Sequence, residues 1–81
     1  MKVTVDELDR LLRAEVSDPK LILDHEEFRV VPVGTLRRYP GARGVISQAA
    51  LRAQLPRGRK PTTRELATRA TILNSRLKQR L

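Results

Sequence analysis

The 81-residue chain contains no cysteine. It therefore has no disulfide to stabilise a small core and no thiolate ligands for a structural zinc ion. A hydrophobic core of this size supplies only about 3–5 kcal/mol of net stability. The length accommodates one domain over residues 1–81 and leaves homodimerisation open as a further source of stability.

Long hydrophobic runs are also lacking. No stretch approaches the roughly 20 apolar residues that cross a bilayer, and the longest, 28–34, is interrupted by Arg29 and Pro32. Asp6, Glu7 and Asp9 lie where a signal peptide needs an apolar segment. We therefore expect a cytoplasmic protein without a membrane partner.

Residues that support catalysis are scarce. His25 is the single histidine and lies among Asp24, Glu26 and Glu27. A carboxylate-rich metal or acid–base site is one interpretation, but contiguous residues of this kind have no established ligand geometry, and a solvated turn explains them better. Because no glycine-rich phosphate loop occurs either, we predict a non-enzymatic protein with no metal and no cofactor.

Carboxylates almost disappear after residue 27. Residues 1–27 hold eight carboxylates and four cations, for a net charge of −4, whereas residues 28–81 hold thirteen cations and only Glu65, for +12. A genomic bias toward arginine explains part of the excess, since arginine outnumbers lysine thirteen to four. It does not explain the missing acids. An acidic 1–27 followed by a basic 28–81 indicates polyanion binding.

The first half of the chain predicts a helix and a hairpin. Thr4 and Glu7 match a capping box, and apolar residues at helical spacing predict a helix over 5–16. The β-rich segments 21–23 and 28–33 are separated by four polar residues and predict a hairpin. Pro32 cannot donate to a ladder, so its strand should be an edge or bulged. Glycines and Pro40 predict a loop over 34–44.

The second half predicts two helices. Ser47 is a candidate N-cap for a helix over 48–55, and Thr62 with Glu65 matches a second capping box that opens a helical stretch to Leu81. The fold class is therefore α+β: an N-terminal helix, a short β-hairpin and two C-terminal helices. The predicted core comprises Leu8, Leu11, Leu12, Ile22, Phe28, Val31, Ile46, Leu51, Leu55, Leu66, Leu73 and Leu77.

Residues 62–81 admit two interpretations. In the first they form one amphipathic helix, because Leu66, Ala70, Leu73, Leu77 and Leu81 make a continuous apolar stripe. In the second, the segments 63–67 and 71–72 together with Leu77 resemble the helix-turn-helix of bacterial DNA-binding proteins. That resemblance implies that Asn74, Ser75, Lys78 and Gln79 face the major groove. Thr71 occupies the turn position that is usually glycine, which favours the single helix.

The first functional hypothesis is a non-enzymatic DNA-binding protein with an accessory or transcription-regulating role, of bacteriophage or plasmid type. It would bind duplex DNA as a dimer. Arginine supplies bidentate contacts to phosphate or to guanine edges, and the connector 57–60 would either follow a DNA backbone or enter a minor groove as a flexible arm. The candidate nucleic-acid-binding residues are Arg37, Arg38, Arg43, Arg57, Arg59, Lys60, Arg64, Arg69, Asn74, Ser75, Arg76, Lys78, Gln79 and Arg80.

Two alternatives stay open. A protein-binding modulator would dock its amphipathic C-terminal helix on a host protein with an acidic surface. An RNA- or ribosome-associated protein would also fit the charge. Phe28 and Tyr39 are the only aromatic residues, so base stacking has few platforms, and duplex DNA is favoured over single strands or RNA.

Overall fold

A computed structural model describes residues 2–79 of the chain and confirms the α+β fold class. An N-terminal helix is followed by a three-stranded antiparallel sheet and two further α-helices. The elements are α1 (Val5–Arg13), β1 (Pro19–Asp24), β2 (Glu27–Pro32), a 3-10 helix η1 (Val33–Arg38), β3 (Arg43–Ser47), α2 (Gln48–Ala53) and α3 (Thr63–Gln79). Within residues 2–79, no helix is long and apolar enough to cross a membrane.

Helix α1 begins where the sequence predicts but ends three residues early. The Thr4 backbone N–H donates to Glu7 Oε1 at 2.9 Å, as the capping box requires. At the other end, the Gln48 side-chain amide donates to the carbonyls of Leu11 (2.9 Å) and Ala14 (3.1 Å). These bonds satisfy carbonyls that a longer helix would have used, so the predicted end at residue 16 was wrong.

The predicted hairpin is confirmed. Strands β1 and β2 are antiparallel, with Leu21 opposite Val30 and Leu23 opposite Phe28. Their two-residue turn places His25 (φ 47°) and Glu26 (φ 69°) in the left-handed region, as tight hairpin turns require. Strand β2 is an edge strand and ends at Pro32, in agreement with the prediction for that proline.

The turn offers a stability prediction. Glu26 is exposed, and its left-handed backbone conformation is strained because the Cβ comes too close to the following carbonyl oxygen. Glycine has no Cβ and avoids this strain. Glu26→Gly should therefore stabilise the protein by about 1 kcal/mol, measured as a higher urea midpoint. Glu26→Ala removes the same charge but keeps the Cβ, so it should give no such gain; equal midpoints for the two variants would contradict the explanation.

Strand β3 is absent from the sequence prediction, which assigned its first residues to a loop. It pairs with the other edge of β1, with Ile46 opposite Leu21 and a register shift between Leu21 and Ile22. A Cβ on Gly44 would lie 2.9 Å from Lys20 Cε and Nζ, so glycine allows the lysine stem to cross the strand. Residues 34–38 of the predicted loop form η1 together with Val33, which the sequence had assigned to the second strand, and η1 packs on β2.

The caps of the last two helices are confirmed. Ser47 Oγ accepts from the Ala50 N–H at 3.1 Å, although α2 ends at Ala53 rather than at residue 55. Thr62 Oγ1 accepts from the Glu65 N–H at 3.1 Å. Helix α3 is then continuous from 63 to 79, and the Thr71 hydroxyl donates to the Ala67 carbonyl one turn earlier. The chain therefore adopts the single-helix alternative through Thr71; Arg80 and Leu81 lie outside the described residues.

The main core lies between one face of the sheet and helices α1, α2 and α3. Predicted core residues that are buried are Leu8, Leu11, Ile22, Val31, Ile46, Leu51, Leu55, Leu66 and Leu73, while Leu12, Phe28 and Leu77 are half-buried. Leu21, rather than Ile22, belongs to the main cluster. Because side chains alternate along β1, Ile22 and its neighbour Val31 are buried on the opposite face of the sheet, where η1 adjoins β2.

Candidate nucleic-acid interface

The exposed side of α3 combines cations with small hydroxyl side chains. Helical geometry places Leu66, Ala70 and Leu73 against the core, so the residues on the opposite side face solvent. We call this surface the α3 outer face; its exposed residues are Arg64, Thr68, Thr71, Ser75 and Lys78. No carboxylate follows Glu65 in the sequence, so α3 itself contributes only positive charge to this face. Glu26, from the turn between β1 and β2, lines a depression shared with Thr71 and Ser75.

Two further arginines flank the α3 outer face. Arg76 is exposed, and Arg69 is half-buried with its Nη1 at 3.5 Å from Gln54 Oε1. Arg43 reaches the C-terminal end of the same helix from β3, where its Nη2 donates to the Leu77 carbonyl at 3.4 Å. Together with Lys78, Arg43 borders an open depression of about 780 Å³. The fold thus brings Arg43 to the α3 surface, although the sequence separates them widely.

Asn74 occupies a different side of α3. Its Oδ1 accepts from the Val3 N–H at 2.6 Å, and its Nδ2 donates to the Val3 carbonyl at 2.9 Å. Val3 is itself 2 % exposed and part of the core. Asn74 therefore holds the N-terminal segment against α3. The helix-turn-helix resemblance implied that this side chain faces the major groove, but its hydrogen bonds to Val3 leave it unable to contact DNA bases.

This role predicts a loss of stability on truncation. Asn74→Ala leaves both backbone groups of Val3 without partners, which costs about 1–3 kcal/mol for buried polar groups. The loss should appear as a lower midpoint in urea unfolding followed by circular dichroism. Ser75→Ala, one position along on the exposed face, is the matched control and should stay within about 0.5 kcal/mol of the parent. Similar midpoints for the two variants would contradict the structural role.

The connector 57–61 contacts the start of α3 through Arg59. Arg59 makes a bidentate contact with Glu65, Nη1 to Oε1 at 2.9 Å and Nη2 to Oε2 at 2.8 Å. The hydrogen bond from Arg59, followed by that from the Thr62 backbone N–H, lowers the pKa of Glu65 from 4.5 to about 2. The same pairing raises the pKa of Arg59. Arg59 is therefore engaged within the protein, whereas Arg57 and Lys60 are exposed without a salt bridge in residues 2–79.

The lowered pKa of Glu65 predicts a pH dependence with a defined sign. A carboxylate whose folded-state pKa lies below its unfolded value stabilises the protein above the unfolded pKa, and this contribution disappears as pH falls through the folded pKa. Wild type should therefore melt at a higher temperature than Glu65→Gln above about pH 5. This difference in melting temperature should decrease as the pH falls from 4.5 and disappear near pH 2. Thermal unfolding at several pH values measures it. A difference independent of pH would contradict the pairing.

Five cations surround a groove beside the connector, and the sequence identified only three of them. This connector groove has a volume of about 440 Å³ and lies where the ends of α1 and α2 meet the start of α3. Arg57, Arg59 and Lys60 come from the connector, whereas Arg13 and Arg52 come from the last turns of α1 and α2. Only the tertiary packing of these helix ends reveals the last two, so local sequence signals could not have found them.

The remaining candidate residues do not join this surface. Arg37 and Arg38 are exposed on η1, which makes its main contacts with β2 rather than with α3. Gln79 is the last residue of α3, and Arg80 lies outside the described residues. The candidate cations therefore form three groups: on the α3 outer face, around the connector groove and on η1.

The acidic turn around His25 forms ordinary surface contacts. His25 Nδ1 lies 2.7 Å from Asp24 Oδ1, and Arg29 Nε donates to the other oxygen of Asp24 at 3.2 Å. Asp24 is 9 % exposed, so these bonds satisfy a largely buried carboxylate. Among residues 2–79, no group of three histidine, cysteine or acidic side chains is placed to hold a metal ion.

Comparisons of the chain with protein-family models, with curated proteins and with solved structures find no match.

Proposed function

We propose that the chain is a DNA-binding accessory or regulatory protein that contacts duplex DNA through the α3 outer face. The observation that carries this proposal is the composition of that face. Thr68, Thr71 and Ser75 are exposed along its centre, and α3 itself supplies cations beside them and no carboxylate after Glu65. Arginine, lysine, serine and threonine side chains supply most phosphate contacts in protein–DNA complexes.

The shape of the surface also suits a duplex. The major groove of B-DNA is about 12 Å wide and admits an α-helix. The small side chains at the centre of the face allow close approach of the helix backbone, while Arg64 and Lys78 stand at its two ends. At 1.5 Å per residue these two positions are about 21 Å apart along the axis, so they reach phosphates on well-separated nucleotides.

Duplex DNA is favoured over single strands and RNA because the aromatic residues are engaged. Phe28 packs against the core and Tyr39 is half-buried, so neither offers an open ring for base stacking. In addition, the deep and narrow major groove of A-form RNA does not admit a helix readily. These features support a B-form duplex as the polyanion.

The leucine stripe of α3 argues against docking of this helix on a host protein. Leu66 is 5 % and Leu73 is 4 % exposed, and both belong to the main core. Presenting the stripe to a partner would require α3 to leave α1 and the sheet. The exposed part of α3 is polar and cationic, which suits a nucleic acid.

Chemical-shift mapping tests where DNA binds. Addition of a short random-sequence duplex to ¹⁵N-labelled protein should shift amide signals along the α3 outer face, including Thr68, Thr71 and Ser75. Signals of Arg37 and Arg38 on η1 serve as the internal control and should move little. Shifts confined to η1, or no shifts at low ionic strength, would refute the proposed interface.

A further inference from the structure

We propose that the connector groove is a docking site for an acidic, leucine-bearing peptide segment of a partner protein. This proposal is independent of DNA binding, because none of the residues on which it depends belongs to the α3 outer face. It follows from the charge around the groove, the apolar character of its floor and the rigidity of its rim.

The charges around the groove are only partly compensated. Arg13 pairs with Asp9 at 2.5 Å, and Arg59 pairs with Glu65 at 2.8 Å. The other three cations of the rim are Arg52, Arg57 and Lys60; in residues 2–79 none of them forms a salt bridge. Three like charges around one opening repel each other, and an anionic ligand would relieve that repulsion.

The floor of the groove is apolar. Leu12, Leu55 and Leu66 line it together with Pro56 and Pro61. Leu12 is half-buried, so it retains surface that a partner side chain can cover. The volume of about 440 Å³ falls within the range of roughly 300–1,000 Å³ that is usual for sites of small ligands. An apolar side chain would occupy this space while neighbouring carboxylates meet the rim.

The rim is held in place before any ligand arrives. Arg59 is fixed by its bidentate contact with Glu65, and Arg52 Nη2 donates to the Leu12 carbonyl at 3.2 Å. Binding therefore costs less ordering of the protein than it would at a flexible loop.

An acidic peptide suits these features better than the other occupants. A DNA backbone would satisfy the cations but would place solvated phosphates over leucine and proline. A second copy of this chain offers the 46 % exposed Val16 between Glu15 and Asp18, but a valine side chain is shorter than leucine and would fill less of the groove. The partner is therefore a different chain, in which leucine and carboxylate side chains are exposed together.

Fluorescence anisotropy with a short labelled peptide, in which leucines alternate with aspartates, tests the proposal in the absence of DNA. Arg57→Glu combined with Lys60→Glu should weaken binding by about tenfold or more, since both charges are reversed at the rim. Arg37→Glu combined with Arg38→Glu changes the net charge equally on η1 and should leave affinity within about twofold. All four positions are exposed, and circular dichroism of both variants verifies folding.

Other outcomes overturn the proposal. Equal losses in the two double variants would show a general effect of net charge. A peptide with serine in place of leucine should bind more weakly, and equal affinity would show that the apolar floor is unused. Displacement of the peptide by duplex DNA, with the same loss of DNA affinity in the groove variant, would assign the groove to the DNA interface. The peptide assay therefore fails or succeeds separately from the α3 interface.

Discussion

Replacement of Arg64, Arg69 and Arg76 by alanine is expected to abolish most of the affinity for duplex DNA. Each phosphate contact contributes roughly 0.9 to the slope of log K against log salt concentration. Loss of three contacts should make that slope shallower by about three units and lower affinity on the order of a hundredfold to a thousandfold at 0.1 M salt. A titration of labelled duplex at several salt concentrations measures both quantities.

The control for this variant removes the same charge elsewhere. Arg37, Arg38 and Arg57 are exposed and lie outside the α3 outer face and its flanks, so their combined replacement by alanine should change the salt slope little. Melting curves of both triple variants should stay close to wild type. Five of the six arginines are exposed, and substitutions at such positions usually change stability by less than about 0.5 kcal/mol. The half-buried Arg69 loses only one long hydrogen bond, of 3.5 Å, to Gln54. Equal losses of slope in the two variants would show that DNA binding depends on net charge and not on α3.

Leu51→Ala is expected to prevent cooperative folding at 37 °C. Leu51 is 0 % exposed and belongs to the main core, and truncation of such a leucine costs about 2–5 kcal/mol. A domain of this size has only about 3–5 kcal/mol of net stability, so the substitution removes most or all of it. Thermal unfolding followed by circular dichroism should lose its sigmoidal transition.

The matched control is an apolar residue at the surface. Val16 is 46 % exposed, so Val16→Ala should leave the transition within about 0.5 kcal/mol of wild type. A sharp transition for Leu51→Ala near the wild-type temperature would contradict the packing of α2 against the core.

Local signals were sufficient to predict the caps and the hairpin. Thr4 with Glu7, Ser47, and Thr62 with Glu65 are short-range patterns, and each satisfies backbone groups a few residues away. The register of β1 and β2 follows from a tight turn of two residues. Features set by neighbours in sequence were therefore predictable.

Features set by distant residues were not. The end of α1 depends on Gln48, which lies more than thirty positions later. Strand β3 forms because β1 offers a free edge, and its first residues, Arg43 and Gly44, look like a loop when read alone. Packing of the helices on one face of β1 also places Leu21 in the main core, whereas the sequence pattern selected Ile22, which is buried outside that cluster.

In the candidate interface too, features set by neighbouring residues were predictable and features set by distant residues were not. The cationic, carboxylate-free character of α3 was visible in the sequence, because it depends on residue types and helical spacing alone. The role of Asn74 was not, because its partner Val3 is 71 residues away. The connector groove was also missed, since Arg13 and Arg52 meet the connector only through helix packing.

The most direct test of DNA binding is an anisotropy titration of wild-type protein against a labelled random-sequence duplex between about 50 and 200 mM salt. The cations on and beside the α3 outer face are Arg43, Arg64, Arg69, Arg76 and Lys78. Five phosphate contacts correspond to a slope of about −4 to −5 in log K against log salt concentration. Micromolar binding with that slope is the predicted result. Absence of binding at the lowest salt concentration, or binding that does not respond to salt, would contradict the proposed function.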